Sequence, residues 1–320
     1  MKVVIPGGSG QVGQLLARAF HAEGAEVVVL TRSPRDAPWR TVGWDAKSLG
    51  PWARELDGAD LVVNLAGRSV NCRYTPENRE LIRDSRVDST RVVGEAIGAA
   101  SRPPPLWLQA STATIYAHSL DRTNDELTGT LGGSESGAPD TWRFSVDVAM
   151  AWERALDEAD VPGTRKVKLR SAMVMSPDPG GIFDTLLTLV RRGLGGTAGS
   201  GRQYVSWIHE YDFVDSVRWI IAHEELSGAV NLASPNPLPN AEFMRLLRSA
   251  WGARLGLPAA EWMLAVGAVF MQTETELVLK SRRVVPERLL RSGFRFRFPE
   301  WASAVADLCL RVRQSSTSAV

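Results

Sequence analysis

The chain has 320 residues, 44% of them hydrophobic, which suffices for one large α/β domain with a smaller lobe and excludes wholesale disorder. Its 37 Lys and Arg stand against 36 Asp and Glu, so a net charge of +1 excludes a global attraction to nucleic acid or anionic membrane. Only two cysteines, Cys72 and Cys309, occur, without a C-x-x-C, which speaks against a disulfide framework or a zinc-thiolate site and for a reducing, cytoplasmic setting.

In chain order, the apolar strand Val3 to Ile5 meets the loop "PGGSGQVG", and "QLLARAFHAEG" follows with helical periodicity ending at Gly24. With the second strand "AEVVVLTR" this forms a βαβ unit, the start of a parallel sheet. Because an apolar strand and a glycine loop follow Met1-Lys2 at once, no signal peptide is expected. "TVGWDA" reads as a short strand, and "ADLVVNLAG" as a strand buried on both faces. The helix "RVVGEAIGAAS", the strand "LWLQAS", the helix "RFSVDVAMAWERA" and the strand "RKVKLRSAMV" continue the alternation. The predicted fold is α/β, a doubly wound parallel Rossmann sheet with a smaller, interleaved, mostly helical substrate lobe.

After Met175 the sequence crosses into that lobe through a helix from Ile182 to Arg192 and the glycine-rich "GLGGTAGSGRQ". Residues 205–233 are expected to rejoin the cofactor domain formed by residues 1–175. Residues 176–204 and 234–320 then form the second lobe. The run Trp262 to Met271 falls below the ~18 residues that span a bilayer and reads as a buried helix. "FRFRF" alternates with period two, as a strand with one buried face does, so the surrounding arginines do not make a nucleic-acid surface.

Gly7, Gly10 and Gly13 stand at three-residue spacing between strand and helix. There glycine lets the backbone approach a pyrophosphate whose charge meets the helix N-terminus. Gln11 and Val12 belong to the same loop. The second strand ends Thr31-Arg32, without the acidic residue that would bind ribose hydroxyls, and a guanidinium suits a 2′-phosphate; NADP(H) is therefore favoured over NAD(H). Asp45 is a candidate for the adenine edge.

"GGSGQVG", "NLAG", "STATIYA", "RYTPENRELIRDSRVDSTR" and "RVVPERLLRSGFRFRFPEW" together resemble the extended short-chain dehydrogenases/reductases. Within these they are similar to an atypical, NAD-dependent epimerase/dehydratase-like subgroup with a distinctive small C-terminal domain. The resemblance implies that Asn64, Ala66 and Gly67 lie on the adenosine and ribose side, and that Ser111 and Thr112 reach the nicotinamide. It also exposes a departure. The family's Tyr-x-x-x-Lys pair, in which lysine lowers a tyrosine pKa from about 10, falls on Ser145-x-x-x-Ala149. The asparagine expected in the preceding helix falls near Arg86.

Thr112 keeps a hydroxyl to orient a substrate oxygen, and Tyr116 and Ser145 are the remaining catalytic candidates. His118, Asp125 and Glu126 are further loop candidates, as are Arg202, Gln203 and His209 for substrate. Arg170 ends its strand on the nicotinamide side. The four histidines lack metal-ligand spacing, so no metal is expected. Two readings stay open: an NADP(H)-dependent oxidoreductase or epimerase on a small polar substrate, and a noncatalytic NADP(H)-binding sensor or scaffold. No nucleic acid or membrane partner is expected; a homodimer is possible.

Overall fold

Residues 1–259, 274 and 276–317 are described by a computed structural model. The predicted helix Trp262 to Met271 lies outside the described residues. The opening alternation folds as β1 (Lys2–Pro6), α1 (Gln11–Ala22), β2 (Glu26–Thr31), β3 (Arg40–Gly43) and β4 (Leu61–Asn64). It continues through α2 (Pro76–Gly98), β5 (Leu106–Thr112), α3 (Asp140–Asp157) and β6 (Arg165–Ser171). β10 (Gly228–Leu232) joins these strands to give a seven-stranded sheet in the order β10-β6-β5-β4-β1-β2-β3, every pairing parallel.

Both faces of the sheet are covered, which explains the unbroken apolar strands. Val3, Ile5, Val27, Val29, Val63 and Leu108 point to one core, against α1 and α5 (Glu210–Ala222). Val4, Val28, Leu30, Val62 and Trp107 point to the other, against α2. From β1 the chain builds outward to β2 and β3, then returns to build β4, β5 and β6 on the far side. The crevice outside the carboxyl ends of β1 and β4 is thus a topological switch point, where such sheets take ligands.

Three elements differ from the sequence reading. α2 starts at Pro76, well before the apolar stretch, because Thr75 caps it by accepting from the Asn78 N–H; its polar first turns hid it. The strand expected through Val174 breaks at Ala172. The Ala172 N–H still donates to Leu232, but Met173 turns to Ser206, and β7 (Met173–Met175) pairs with β9 (Trp207–His209) outside the main sheet. "FRFRF" alternates in burial but pairs with no strand. The Arg297 and Phe298 N–H groups donate instead to the buried Asp212 carboxylate at 2.6 and 3.0 Å.

A third apolar cluster lies beyond the sheet. It unites Phe183 and Leu187 of α4 (Ile182–Arg191), Phe243 and Leu247 of α6 (Asn240–Trp251), and Trp301 and Leu308 of α9 (Trp301–Thr317). A small sheet of β8 (Tyr204–Val205) and β11 (Leu238–Pro239), with the short helices α7 (Glu276–Leu279) and α8 (Glu287–Arg291), completes the described residues. Among these, no helix is long and apolar enough to cross a membrane, and no cluster of potential metal ligands occurs.

Candidate cofactor groove and catalytic chamber

The glycine loop is built by close approach. Gly7 has φ +73°, and a Cβ there would lie 2.6 Å from the backbone of Ala66. A Cβ on Gly13 would lie 2.4 Å from Gly8 Cα, so Gly13 lets α1 pack on the loop and does not face the groove. Gly8, which the spacing argument missed, is equally confined, 2.9 Å from Ile5. Gly10 differs: its Cβ position meets no protein atom nearer than the Gly7 carbonyl at 3.7 Å and opens into the groove. α1 has no side-chain cap and no acidic residue in its first turn, so its N-terminal N–H groups and dipole face the crevice uncompensated.

From this loop a groove of about 650 Å³ runs across the carboxyl ends of β1 and β2. Ala66 and Gly67 line one wall; Arg32, Arg35 and Lys47 stand at the other end. Among the described residues, none of these three cations has an ion-pair partner. Asp45 lies in the groove wall, but its carboxylate accepts from the Lys47 and Ser48 N–H groups at 2.9 and 3.0 Å and from the Ser48 hydroxyl, and these bonds pull its pKa down to about 2. It forms the turn that presents Lys47. Asn64 is fully buried. It donates to Gln109 and accepts from the Ala66 N–H, so it braces the loop from behind and does not line the groove.

Gln11, Val12 and Ser111 line the next stretch, between the start of α1 and the ends of β5 and β6. Gln11 Nε2 is buried there without a hydrogen-bond partner. The Ser111 hydroxyl donates to Glu153 at 2.6 Å, and Glu153 holds Arg170 in a bidentate pair, both bonds 2.8 Å. Arg170 in turn donates to the Tyr116 hydroxyl, which donates to Asn231, both at 3.0 Å. This buried network corrects the reading of Tyr116. The phenol is 2% exposed, is committed to Arg170 and Asn231, and stands outside the chamber described next. Burial raises its pKa against the pull of Arg170.

Five other candidates, His209, Gln203, Asp125, Glu126 and His118, are also held in structural contacts. His209 is buried, caps α5 by accepting from the Tyr211 N–H at Nδ1, and meets Asp307 at 3.1 Å through Nε2; burial lowers its pKa. Gln203 is buried and donates to the Ala198 carbonyl, shaping its own loop. Asp125 and Glu126 are taken up by backbone N–H groups, including those of Thr128 and Asn231. His118 stacks on Trp142 and accepts from the Ser281 N–H. Arg202 is exposed.

Beyond Thr112 a separate chamber of about 120 Å³ opens between α2, α3 and α7. Ser145 and Ala149, at the places of the missing tyrosine and lysine, line it together with Thr112. Thr112 accepts from the Thr114 N–H at 3.1 Å, which leaves its O–H as a donor. Apolar walls come from Val70, Ile82, Phe144 and Val148.

Three further polar groups enter the chamber that the sequence did not mark as catalytic: Tyr74, Arg86 and Glu276. Ser145 donates to Glu276, and Tyr74 lines the same chamber. Burial pushes the Tyr74 phenol up to about 12 and raises Glu276 against the pull of Arg282, Ser145 and Lys280. Lys280 and Arg282 flank the Glu276 carboxylate at 4.0 Å, and burial brings Lys280 down to about 8. Arg86 lies over the Trp152 ring at 5.0 Å and donates to the Ile82 carbonyl at 2.8 Å. Among the described residues it has no carboxylate partner, and burial lowers it to about 10. Only the fold reveals this grouping, because Tyr74, Ser145 and Glu276 come from three distant segments.

The profile of the NAD dependent epimerase/dehydratase family matches residues 3–233, and that of a domain of unknown function, DUF1731, matches residues 259–308. The human epimerase family protein SDR39U1 is 31% identical over 96% of this chain and 99% of its own length. A crystal structure of human SDR39U1, isoform 2, with NADPH superposes with a TM-score of 0.83 at 29% identity, covering 97% of this chain and 99% of that one. A nucleoside-diphosphate sugar epimerase from Corynebacterium glutamicum gives a TM-score of 0.74 at 28% identity, covering all of this chain and 61% of that one.

Proposed function

The chain belongs to the NAD-dependent epimerase/dehydratase family, and on that premise we propose that it is an NADP(H)-dependent oxidoreductase or epimerase acting on a small polar substrate. One observation carries this reading. The uncapped, acid-free N-terminus of α1 shares one groove at the switch point with Arg32, Arg35 and Lys47, which have no ion-pair partner among the described residues. The crystal structure of human SDR39U1 with NADPH supports the choice of dinucleotide.

In this reading Gly7 and Gly10 bring backbone to the pyrophosphate, and Gly13 keeps α1 close beneath it. Arg32, with Arg35 and Lys47, holds the 2′-phosphate, while Ala66 and Gly67 border the adenosine ribose. The buried Nε2 of Gln11 faces the cofactor's other half, which gives it an acceptor. When bound, NADP(H) supplies or accepts a hydride. The protein's part is to hold the substrate oxygen against Thr112 and to move a proton, and Ser145 lies in position to take part.

We assign residues 1–175 and 205–233 to the cofactor domain and the remainder to the second lobe, whose α7 closes the chamber. Free thiols at Cys72 and Cys309 go with a reducing cytoplasm. Convergent polar groups in the chamber favour catalysis over a sensor role.

Incubating the protein with NADPH deuterated at the transferable position and a metabolite extract tests this reading. Deuterium should appear in a small polar metabolite, and the transfer should fall sharply in Thr112→Val. NADPH that binds but never loses its label would refute a reductase, and an extract in which NADP+ also drives no hydride exchange would refute the epimerase.

A further inference from the structure

We propose that the chamber reduces a small carbonyl compound bearing a carboxylate. Arg86 holds the negative charge, Thr112 and Tyr74 meet the carbonyl oxygen, and Tyr74, Ser145 and Glu276, which line the same chamber, replace the absent tyrosine–lysine pair. This rests on the reading of the groove as an NADP(H) site.

The charge on Arg86 motivates the carboxylate. Arg86 is half-buried, and among the described residues it meets no carboxylate: its guanidinium donates to one backbone carbonyl, lies over the face of Trp152 and packs beside Gly67, so its charge lacks an anionic partner. Lys280 and Arg282 are engaged by Glu276 and by the Thr114 residue, so Arg86 is left to pair with what enters. At about 120 Å³ the chamber suits a compound of a few carbon atoms.

The proton path uses Tyr74 beside Ser145 and the Ser145–Glu276 hydrogen bond, in which Ser145 is the donor and whose direction reverses when Glu276 carries the proton. NADPH gives two electrons and a hydrogen to the carbonyl carbon as hydride, the C=O π bond breaks toward oxygen, and Tyr74 donates its O–H proton to that oxygen. Ser145 returns a proton to Tyr74, and Glu276 returns one to Ser145. Glu276 lines the chamber and regains its proton from water before the next substrate enters, so the sum consumes one NADPH and one proton per alcohol formed. Tyr74 is held as a phenol at neutral pH, which suits a donor and disfavours the reverse use as a base. Glu276 is a positioning residue that acts through Ser145. The groups facing it are Lys280, Arg282, Glu274 and Ser145, and Arg86 stands across the chamber.

The test uses the full chain and three readouts. Infrared spectra of the unliganded protein should show a carboxyl titrating above the ordinary glutamate range that vanishes in Glu276→Gln. Oxalate, a nonreducible dianion, should bind, and Arg86→Gln should weaken it by about tenfold or more while NADPH affinity stays unchanged. Glyoxylate should be reduced in preference to acetaldehyde, with a rate falling as pH rises through that carboxyl's pKa. Tyr74→Phe and Ser145→Ala should lower kcat by about 100-fold, and Ser145→Thr should restore it in part. An unaltered infrared spectrum in Glu276→Gln removes the proton path, and oxalate binding indifferent to Arg86→Gln removes the anion site. If wild-type protein binds NADPH and oxalate but does not reduce glyoxylate, the reducing assignment falls. If oxalate and infrared behave as expected but NADPH fails to bind, the cofactor reading fails and the anion site stands.

Discussion

The hydroxyl of Ser145 donates to the carboxylate of Glu276, joining the helix after β5 to a residue 131 positions further along the chain. Burial raises Glu276 above its ordinary value of 4.5, against the pull of Arg282, Ser145 and Lys280. A raised carboxyl contributes fully below 4.5, and the contribution is lost as pH rises through the folded value. Chemical denaturation across this range should therefore show Glu276→Gln gaining stability on wild type as pH rises. Parallel curves at every pH would contradict the burial argument.

The glycine loop makes a steric prediction. A Cβ at Gly13 would sit 2.4 Å from the Gly8 backbone, which has no flexible end to move aside. Gly13→Ala should cost about 1–3 kcal/mol, read by urea unfolding, and weaken NADPH binding because the loop must shift. A fully stable variant with unchanged affinity would show that α1 has room to retreat.

Glu153 and Arg170 form a bidentate buried pair that also holds Ser111 and Tyr116. Arg170→Met should cost about 3–5 kcal/mol, since it strands a buried carboxylate. Adding Glu153→Leu should recover most of the loss. A double variant as unstable as the single one would mean that the network, and not the pair, carries the energy.

His209 tests the division between structure and site. Its imidazole is lowered by burial, with Asp307 pulling the other way and Arg311 and Arg297 adding to the lowering. A depressed histidine contributes stability above its ordinary 6.5, and that contribution fades as pH falls below it. His209→Asn should therefore lose stability at pH 8 by about 1–2 kcal/mol, with a smaller deficit under acid conditions, and should leave NADPH binding intact. Loss of cofactor or substrate binding with full stability would return His209 to the site.

How far the sequence carries depends on the range of the forces involved. The parallel sheet and the glycine loop are local, written in apolar runs and in the spacing of Gly7, Gly10 and Gly13, and they were legible. The place of Arg32 just past the end of β2 is local in the same way, and there it lines the groove. Tyr116 and His209 were misplaced because a polar side chain near a strand end reads alike whether it meets a ligand or a partner such as Arg170 or Asp307. The chamber was not legible, because Tyr74, Arg86, Ser145 and Glu276 lie on a loop, α2, α3 and α7, whose meeting is a matter of tertiary packing. Glu276 in particular stands in a stretch without any motif, and in the structure a buried carboxylate oxygen without a hydrogen-bond partner marks it.

An NADP(H)-dependent activity requires the groove to hold a 2′-phosphorylated dinucleotide. Titrating NADPH and NADH separately into the full chain and into Arg32→Ala tests it most directly. The expected result is NADPH binding tighter than NADH by about tenfold or more, a margin that one charge-assisted guanidinium contact supplies and that Arg32→Ala largely abolishes without changing NADH affinity. Equal, weak binding of both dinucleotides to the wild-type chain would contradict it.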